Sequence, residues 1–293
     1  MSKIVSVIGG EGFIGKKLVQ LLLEKKFKVR VLDIKNVNKK YLNYDYFKVD
    51  VLELESLKKI LKNSSYVFNF AGFSDLNKAK ANPINTVRQN ILGTVNCLEA
   101  CKKNNVKRFF YASSLYSDTN IGNFYRCSKK AAEDYTLEYN KRFGLNYTII
   151  KFGSIYGSGS DQSNTLYKII HDALKSKKLT YHGTKDTMRE YIHVEDAAEA
   201  TIDLMGKNYN NKMVNITSGK LLKVETVLKM INEIINKKYE IKFLTKKNIA
   251  GHYITTPYRL SENITINYTK NNYIDLGNGL KNLIEFVVTD KSK

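Results

Sequence analysis

Tyr125 and Lys129 stand four residues apart in the run Phe124-Tyr125-Arg126-Cys127-Ser128-Lys129. On a helix that spacing puts a phenol and an ammonium on one face, one turn from each other. The cation favours phenolate over phenol and draws the tyrosine below its ordinary pKa of about 10. A phenol in that state can exchange a proton with a sugar or alcohol hydroxyl. The same spacing also arises as a plain helix-face contact, so its meaning depends on what else the chain supplies. Cys127 lies between the two, points to another face and is assigned no chemistry.

The chain opens with what a phosphate needs. Ile4-Val5-Ser6-Val7-Ile8 is a short apolar run of the kind that makes a buried strand. It leads into Gly9-Gly10-Glu11-Gly12-Phe13-Ile14-Gly15 and then into a helical pattern carrying Leu18, Leu21, Leu22 and Leu23. Glycines at 9, 12 and 15 permit a tight turn, close backbone approach to a pyrophosphate and close packing of helix on strand. The helix start then offers unpaired N–H groups to the phosphates. The spacing departs from the Gly-x-Gly-x-x-Gly fingerprint, which leaves a ligand-free glycine turn as the competing reading. The next strand, Phe27 to Leu32, ends at Asp33, about twenty residues past the glycines. A carboxylate there accepts hydrogen bonds from ribose hydroxyls and repels a 2′-phosphate, which predicts NAD rather than NADP. Lys35 softens that preference.

The elements that must position these groups follow from periodicity. Candidate strands fall at 3–8, 27–33, 46–49, 66–70, 107–112 and 146–152, with helical patterns at 13–25, 53–62, 83–104 and 125–143 between them. This alternation predicts an α/β fold, a Rossmann-type doubly wound parallel sheet with helices on both faces. After about residue 153 the rhythm loosens, returns at 189–217, and gives a helix near 223–237 and a mixed tail. The expected division is a dinucleotide-binding domain at 1–153 and 189–217, and a smaller, discontinuous α/β substrate domain at 154–188 and 218–293. A cleft between them would hold the substrate.

Composition narrows the classes. A chain of 293 residues can bury a full core. No stretch reaches membrane-span length, and the start lacks the apolar run of a secretory signal. Cys97, Cys101 and Cys127 give no disulfide framework, and no His or further Cys completes a metal site around the first two. A reduced, cytoplasmic setting with no metal is expected. The net charge of +20 comes from lysines spread along the whole chain beside asparagines, with no compact basic arm. It reads as solvated surface that attracts anionic ligands, not as a nucleic-acid or membrane surface.

Taken together, these residues resemble the extended short-chain dehydrogenase/reductase family, specifically its NAD-dependent nucleotide-sugar epimerases and dehydratases of the UDP-glucose 4-epimerase type. The resemblance runs from the first strand to about residue 217. Gly9, Gly12, Phe13 and Ile14 match the family's phosphate loop, and Asp33, with Ile34 and Lys35 after it, its ribose end. Asp50-Val51 matches the adenine pair, Phe70-Ala71-Gly72 the strand exit beside the cofactor, and Asn90 the helix asparagine near the nicotinamide. Ser113-Ser114 ends the fifth strand where the family keeps its catalytic hydroxyl; Ser114 is the first choice and Ser113 the alternative. Lys151-Phe152-Gly153-Ser154 stands in place of an Arg-Tyr-Phe-Asn-like run, and Arg189 to Val194 resembles an Arg-Asp-Tyr-Ile-His-Val signature.

The resemblance implies roles. Tyr125 would be the acid/base at the sugar 4-hydroxyl, Lys129 would bind the nicotinamide ribose and keep Tyr125 acidic, and Ser114 would bond the same oxygen. Arg189 would grip the substrate pyrophosphate with its guanidinium fork. Ser154 would sit at the phosphates, replacing an asparagine; Asn164 and His182 would touch the substrate, His182 against the base; Phe152 would flank the cofactor. His193 is expected as a packed strand histidine and Asp196 as the cap of a helix from Ala197 to Met205. Where the dehydratases carry an Asp-Glu pair the chain has Leu115-Tyr116, which counts against 4,6-dehydration. The expected activity is epimerisation of a nucleotide-activated hexose at C4, UDP-hexose first, for surface polysaccharide assembly. A 4-keto-sugar reductase or sugar dehydrogenase of the same fold is the alternative, and a non-catalytic nucleotide-binding scaffold a third. The resemblance implies a homodimer packed through helices 83–104 and 125–143; the stripe Ile91, Val95 and Leu98 fits that use and fits core packing equally well.

Overall fold

The computed structural model describes residues 3–244, 254–256 and 265–290. Parts of the expected tail segment 218–293 lie outside these described residues.

β1 (Ile4–Ile8) is buried along nearly its whole length because it lies inside a sheet covered on both faces. The first half then alternates as periodicity requires: α1 (Phe13–Glu24), β2 (Lys28–Asp33), β3 (Asp45–Lys48), α2 (Leu54–Ile60) and β4 (Ser64–Asn69). Next come α3 (Leu76–Ala81), α4 (Pro83–Thr86), α5 (Gly93–Lys103), β5 (Arg108–Ser114), α6 (Asn123–Phe143) and β6 (Tyr147–Phe152). The second half brings β7 (Ser154–Tyr156), α7 (Thr165–Ser176), β8 (Lys178–Tyr181), β9 (Met188–His193), α8 (Val194–Asp203) and β10 (Lys212–Ile216). It closes with β11 (Leu221–Lys223), α9 (Val224–Ile235), β12 (Glu240–Phe243), β13 (Thr265–Tyr268) and α10 (Leu276–Asp290).

Eight strands form one parallel sheet in the order β3-β2-β1-β4-β5-β6-β10-β13. One face is sealed by an apolar cluster that includes Leu18, Val19 and Leu22 of α1 with Ala197 and Ala198 of α8. The other is sealed by Leu57 of α2, Leu98 of α5 and Ala132 of α6. This is the doubly wound, Rossmann-type α/β fold. Strand order reverses between β1 and β4, so a crevice opens there at the carboxyl ends of the strands.

A third apolar cluster gathers residues of 156–191 and 224–287, among them Leu166, Ile170, Leu179, Leu228 and Leu283. It lies beneath a three-stranded sheet, β11-β9-β7, and the pair β12-β8. One strand of the tail does not join this cluster. β13, inside the stretch assigned to the smaller domain, pairs with β10 and covers the edge of the large sheet, with an Asn215–Asn267 side-chain bond of 2.9 Å.

Three local features differ from the periodicity reading. The helix expected over 83–104 is interrupted by a π-helical turn, Val87–Leu92, at which Asn90 is buried. α3 has no counterpart in the expected elements; its signal was Asp75, whose carboxylate caps it by accepting from the N–H groups of Asn77 and Lys78. Asp196 is not the cap of α8. His193 Nδ1 accepts from Glu195 N–H at that helix start, while Asp196 pairs with Lys270 at 2.7 Å and accepts from Ile274 N–H.

Candidate active site

The crevice is a cavity of about 830 Å³. Its floor is the carboxyl ends of β1, β4, β5 and β6, and α7, β8 and β9 wall the opposite side.

On the floor the wall is mostly backbone. Gly9 has φ +77°, and a Cβ there would lie 2.6 Å from Ala71 N; a Cβ on Gly15 would lie 2.2 Å from Gly9 O. The turn therefore closes only with glycine at both positions. Gly12 is the N-cap of α1, with no side chain capping the helix and no acid in its first turn. Gly9, Gly12, Phe13 and Ile14 all line the cavity. An uncapped helix start at a glycine turn that side chains leave open fits a diphosphate.

The other residues expected at the cofactor divide. Lys35, Phe70, Gly72 and Phe152 line the cavity, and Asp33, Ile34, Asp50, Val51, Ala71 and Asn90 do not. Asp33 braces the loop from behind, its two oxygens accepting from Glu11 N–H (2.9 Å) and Lys35 N–H (3.1 Å). Each oxygen keeps a lone pair, so the bracing leaves capacity for a diol. Ile34 is exposed, and Asp50 accepts from Leu52 N–H. Val51 is buried against Gly93 and accepts from Asn96. Ala71 backs Gly9. Asn90 is a strut: its oxygen accepts from Phe73 N–H and its amide donates to Phe73 O and Ser128 Oγ. The side chain is filled by protein partners.

At the centre, Tyr125 and Lys129 emerge one turn apart from α6, both buried and both on the cavity wall. Lys129 Nζ donates to Ala112 O at 2.8 Å and stands 5.8 Å from the centre of the Tyr125 ring. Burial lowers the Lys129 pKa to about 8, against the opposing pull of Glu133. The group thus remains mostly an ammonium at neutral pH. Ser114 sits at the wall, its Oγ accepting from Tyr116 N–H (3.3 Å) as the cap of a 3-10 turn, Leu115–Asp118. The Ser113 hydroxyl is bound to the Glu133 carboxylate, so Ser114 is the hydroxyl less held by the interior. The Tyr116 ring stands edge-on to Tyr125, centres 6.2 Å apart.

The opposite wall is side chains and loops. Ser154, Asn164, His182 and Arg189 all reach it. Asn164 caps α7, accepting from Leu166 and Tyr167 N–H and donating to Ile155 O, so its amide is already used. His182 is exposed at the rim. Arg189 is buried and donates to Met188 O, Ile254 O and Tyr181 Oη. Sequence reasoning missed Ser74 to Asn77, Ser160 to Ser163, Lys168, Tyr181 and Tyr191 on this wall. Two signals were present. Tyr191 shares the strand face of Arg189 by period 2, and Gly157 and Gly159, both at positive φ, mark the turn that leads into 160–163.

Among the described residues no cluster of three His, Cys, Asp or Glu side chains could hold a metal, and no helix is long and apolar enough to cross a membrane. Cys97 and Cys101 are buried packing residues whose thiol pKa values burial raises.

The chain is similar to known proteins. A dTDP-D-glucose 4,6-dehydratase of Dictyostelium discoideum is 30% identical over 267 residues, 78% of this chain and 61% of that protein. A UDP-glucuronate 4-epimerase of Thermodesulfobacterium geofontis is 26% identical over 270 residues, 81% of this chain and 82% of that protein. The solved UDP-glucose 4-epimerase of Thermotoga maritima, with UDP-glucose, superposes with a TM-score of 0.79 at 22% identity, covering 98% of this chain and 99% of that one, which establishes the shared fold. The family model for NAD dependent epimerases and dehydratases matches residues 5–217. With the glycine cradle, the Tyr125–Lys129 pair and that match in hand, the chain belongs to the NAD-dependent epimerase/dehydratase family, the nucleotide-sugar enzymes of the extended short-chain dehydrogenase/reductase type, whose cofactor is NAD.

Proposed function

We propose that the protein is an NAD-dependent epimerase that inverts C4 of a nucleotide-linked hexose, with a UDP-hexose as the first candidate. The observation that carries this reading is the convergence of Ser114, Tyr125 and Lys129 on the cavity whose floor is the glycine cradle. Gly9, Gly12, Phe13 and Ile14 would hold the diphosphate of NAD, Asp33 with Ile34 and Lys35 its adenosine ribose, and Asp50 and Val51 its adenine. Phe70, Ala71, Gly72, Asn90 and Phe152 would shape the way to the nicotinamide, with Asn90 acting as a strut behind the wall. When bound, NAD would supply the hydride acceptance and return that epimerisation at C4 requires.

The chain's own groups do the proton chemistry. The Tyr125 phenolate takes the proton of the sugar 4-hydroxyl and later returns it. Lys129, fixed by Ala112 O, favours that phenolate by its charge. Ser114 orients the hydroxyl. Arg189, with Tyr181 beside it, grips the substrate phosphates, and Ser154, Asn164 and His182 frame sugar and base, Asn164 through its backbone. Leu115 and Tyr116 provide no acid for loss of water, and Asp118 nearby is paired with Lys151, which argues against 4,6-dehydration. Leu98, expected at a homodimer face, is fully buried in the core, and Ile91 and Val95 are half-buried; the exposed Ile84, Val87, Leu92, Phe124 and Tyr135 on the 83–103 helical stretch and α6 support a homodimer through these helices, to be measured by light scattering. The domain division at 153, 188 and 217, with β13 returned to the sheet, and a role in cytoplasmic polysaccharide assembly belong to the same reading.

The test is direct. The purified protein should carry NAD through dialysis and interconvert one of the UDP-, GDP-, CDP- or dTDP-hexoses with no net change in NADH. Freely dissociating cofactor with net NADH consumption would assign it to the one-way reductases.

A further inference from the structure

Behind the cavity lies a group of buried charges for which the proton chemistry above has no use. Lys151, at the end of β6, is fully buried; its ammonium pairs with Asp118 at 2.5 Å and with Glu133 at 3.4 Å. The Glu133 side chain is also fully buried and that of Asp118 is 7% exposed. Three charges withdrawn from water cost stability unless they are closely paired, and replacing such a group by apolar residues is commonly neutral or stabilising. Stability is thus a weak reason for their presence.

Their connections are specific. Glu133 follows Tyr125 and Lys129 at the same spacing along α6, so the three share one helix face. Its carboxylate takes the Ser113 hydroxyl, immediately before Ser114. Ser117 donates to Ser114 O at 2.8 Å, closing the turn on itself. Asp118 is the last residue of the Leu115–Asp118 turn that Ser114 caps and that carries Tyr116 against the Tyr125 ring. The turn is therefore held at its start by Glu133 of α6 and at its end by Lys151 of β6.

We propose that Lys151 and Glu133, with Asp118 as the tether, are positioning residues that fix the Ser114–Tyr116 turn against Tyr125. The claim rests on the proposed function for its kinetic part and on geometry alone for its structural part. Asp118 is the shorter of the two contacts of Lys151, so its release gives up the close pair and leaves the buried ammonium only the longer contact to Glu133. A displacement of about 1 Å at such a turn is enough to cost roughly 10²-fold in rate.

The experiment uses the full chain with its retained NAD, comparing Asp118→Ala, Asp118→Asn and Lys151→Arg with the parent. Asp118→Ala should lower kcat by about 10- to 100-fold while KM stays within about threefold. Bound NAD per subunit should not change. Lys151→Arg, which keeps the ammonium's role with a guanidinium, should keep most of kcat. Amide hydrogen exchange across 114–119 should quicken about tenfold in Asp118→Ala while that of β1 and α1 is unaltered. If Asp118→Ala does not fold, Asp118→Asn, which still accepts a hydrogen bond, should show the same pattern at smaller amplitude. Parental kcat in the folded Asp118 variant, or unaltered exchange across 114–119, overturns the proposal. A parent that turns over no hexose refutes the epimerase reading, and the exchange measurement still decides this one.

Discussion

The two walls of the cavity are built differently. The floor is made by main chain: a glycine turn, an uncapped helix start and the ends of four parallel strands. The opposite wall is made by side chains and loops: Arg189 of β9 and Tyr181 of β8, Asn164 capping α7, and the 160–163 segment. The floor's shape follows from where the strands end, and on the proposed reading it would hold NAD through N–H groups that every residue carries. The far wall depends on which side chains α7, β8 and β9 bring together, so on the same reading it would specify the sugar nucleotide. Tyr125 lines the cavity from the floor side. The proposed cofactor place would then be a property of the fold, and the proposed substrate place a property of particular side chains.

That contrast can be broken first at Tyr125. Tyr125→Phe removes the proton acceptor and leaves both walls in place, so turnover should fall by about 10²- to 10⁴-fold with NAD content unchanged. Unchanged turnover, measured by coupled assay on the nucleotide sugar, would separate this tyrosine from the chemistry.

The far wall is tested at Arg189. Arg189→Met removes a charge-assisted grip and should raise KM for the nucleotide sugar by roughly 10- to 100-fold, with NAD retention as in the parent. The floor is tested at Gly15, where a methyl would meet Gly9 O at 2.2 Å. Gly15→Ala should shift the loop, strip NAD during dialysis and cost about 1–3 kcal/mol of stability, read by urea unfolding. If Arg189→Met released NAD, or Gly15→Ala altered only KM, the division of labour between the walls would be wrong.

The remaining test is one of pH. Burial holds the Lys129 pKa at about 8 when folded, below the ordinary 10.5 of the unfolded chain. The unfolded chain therefore binds more protons between those values, and stability should rise with pH across about 8 to 10.5. The gain is roughly 3 kcal/mol at most, by the usual conversion of pKa to free energy, and Lys129→Met should lack it. Activity should move the other way, because the ammonium that favours the phenolate is lost above about pH 8. Unfolding curves and kcat taken at matched pH values check both slopes.

Much of the floor was legible in the sequence. A buried five-residue strand, glycines at 9, 12 and 15, and Asp33 at the end of the next strand are local patterns, and β1, α1 and β2 lie within a residue or two of where periodicity put them. The wall opposite was less legible. Arg189 was read from a short signature, and Tyr191, two residues on and on the same strand face, was passed over within it; Tyr181 had no pattern that set it apart from a core tyrosine. α3 was missed because its signal is a single capping aspartate before a weakly apolar stretch.

What the sequence alone determined is the part of the protein that short-range rules govern. The order of strands and helices from β1 to β6, α3 apart, the turn that only glycine can close, and the shared helix face of Tyr125, Lys129 and Glu133 all arise within a few residues of chain. Tertiary structure decided what distant residues do to one another. It turned Asn90 into a strut between Phe73 and Ser128, gave Ser113 to Glu133 and so freed Ser114, and sent β13 to the edge of the large sheet. It also brought Lys151 against Asp118, 33 residues earlier in the chain. The physical reason is that a buried polar group takes whatever partner the packed core places beside it, and sequence spacing does not encode that partner.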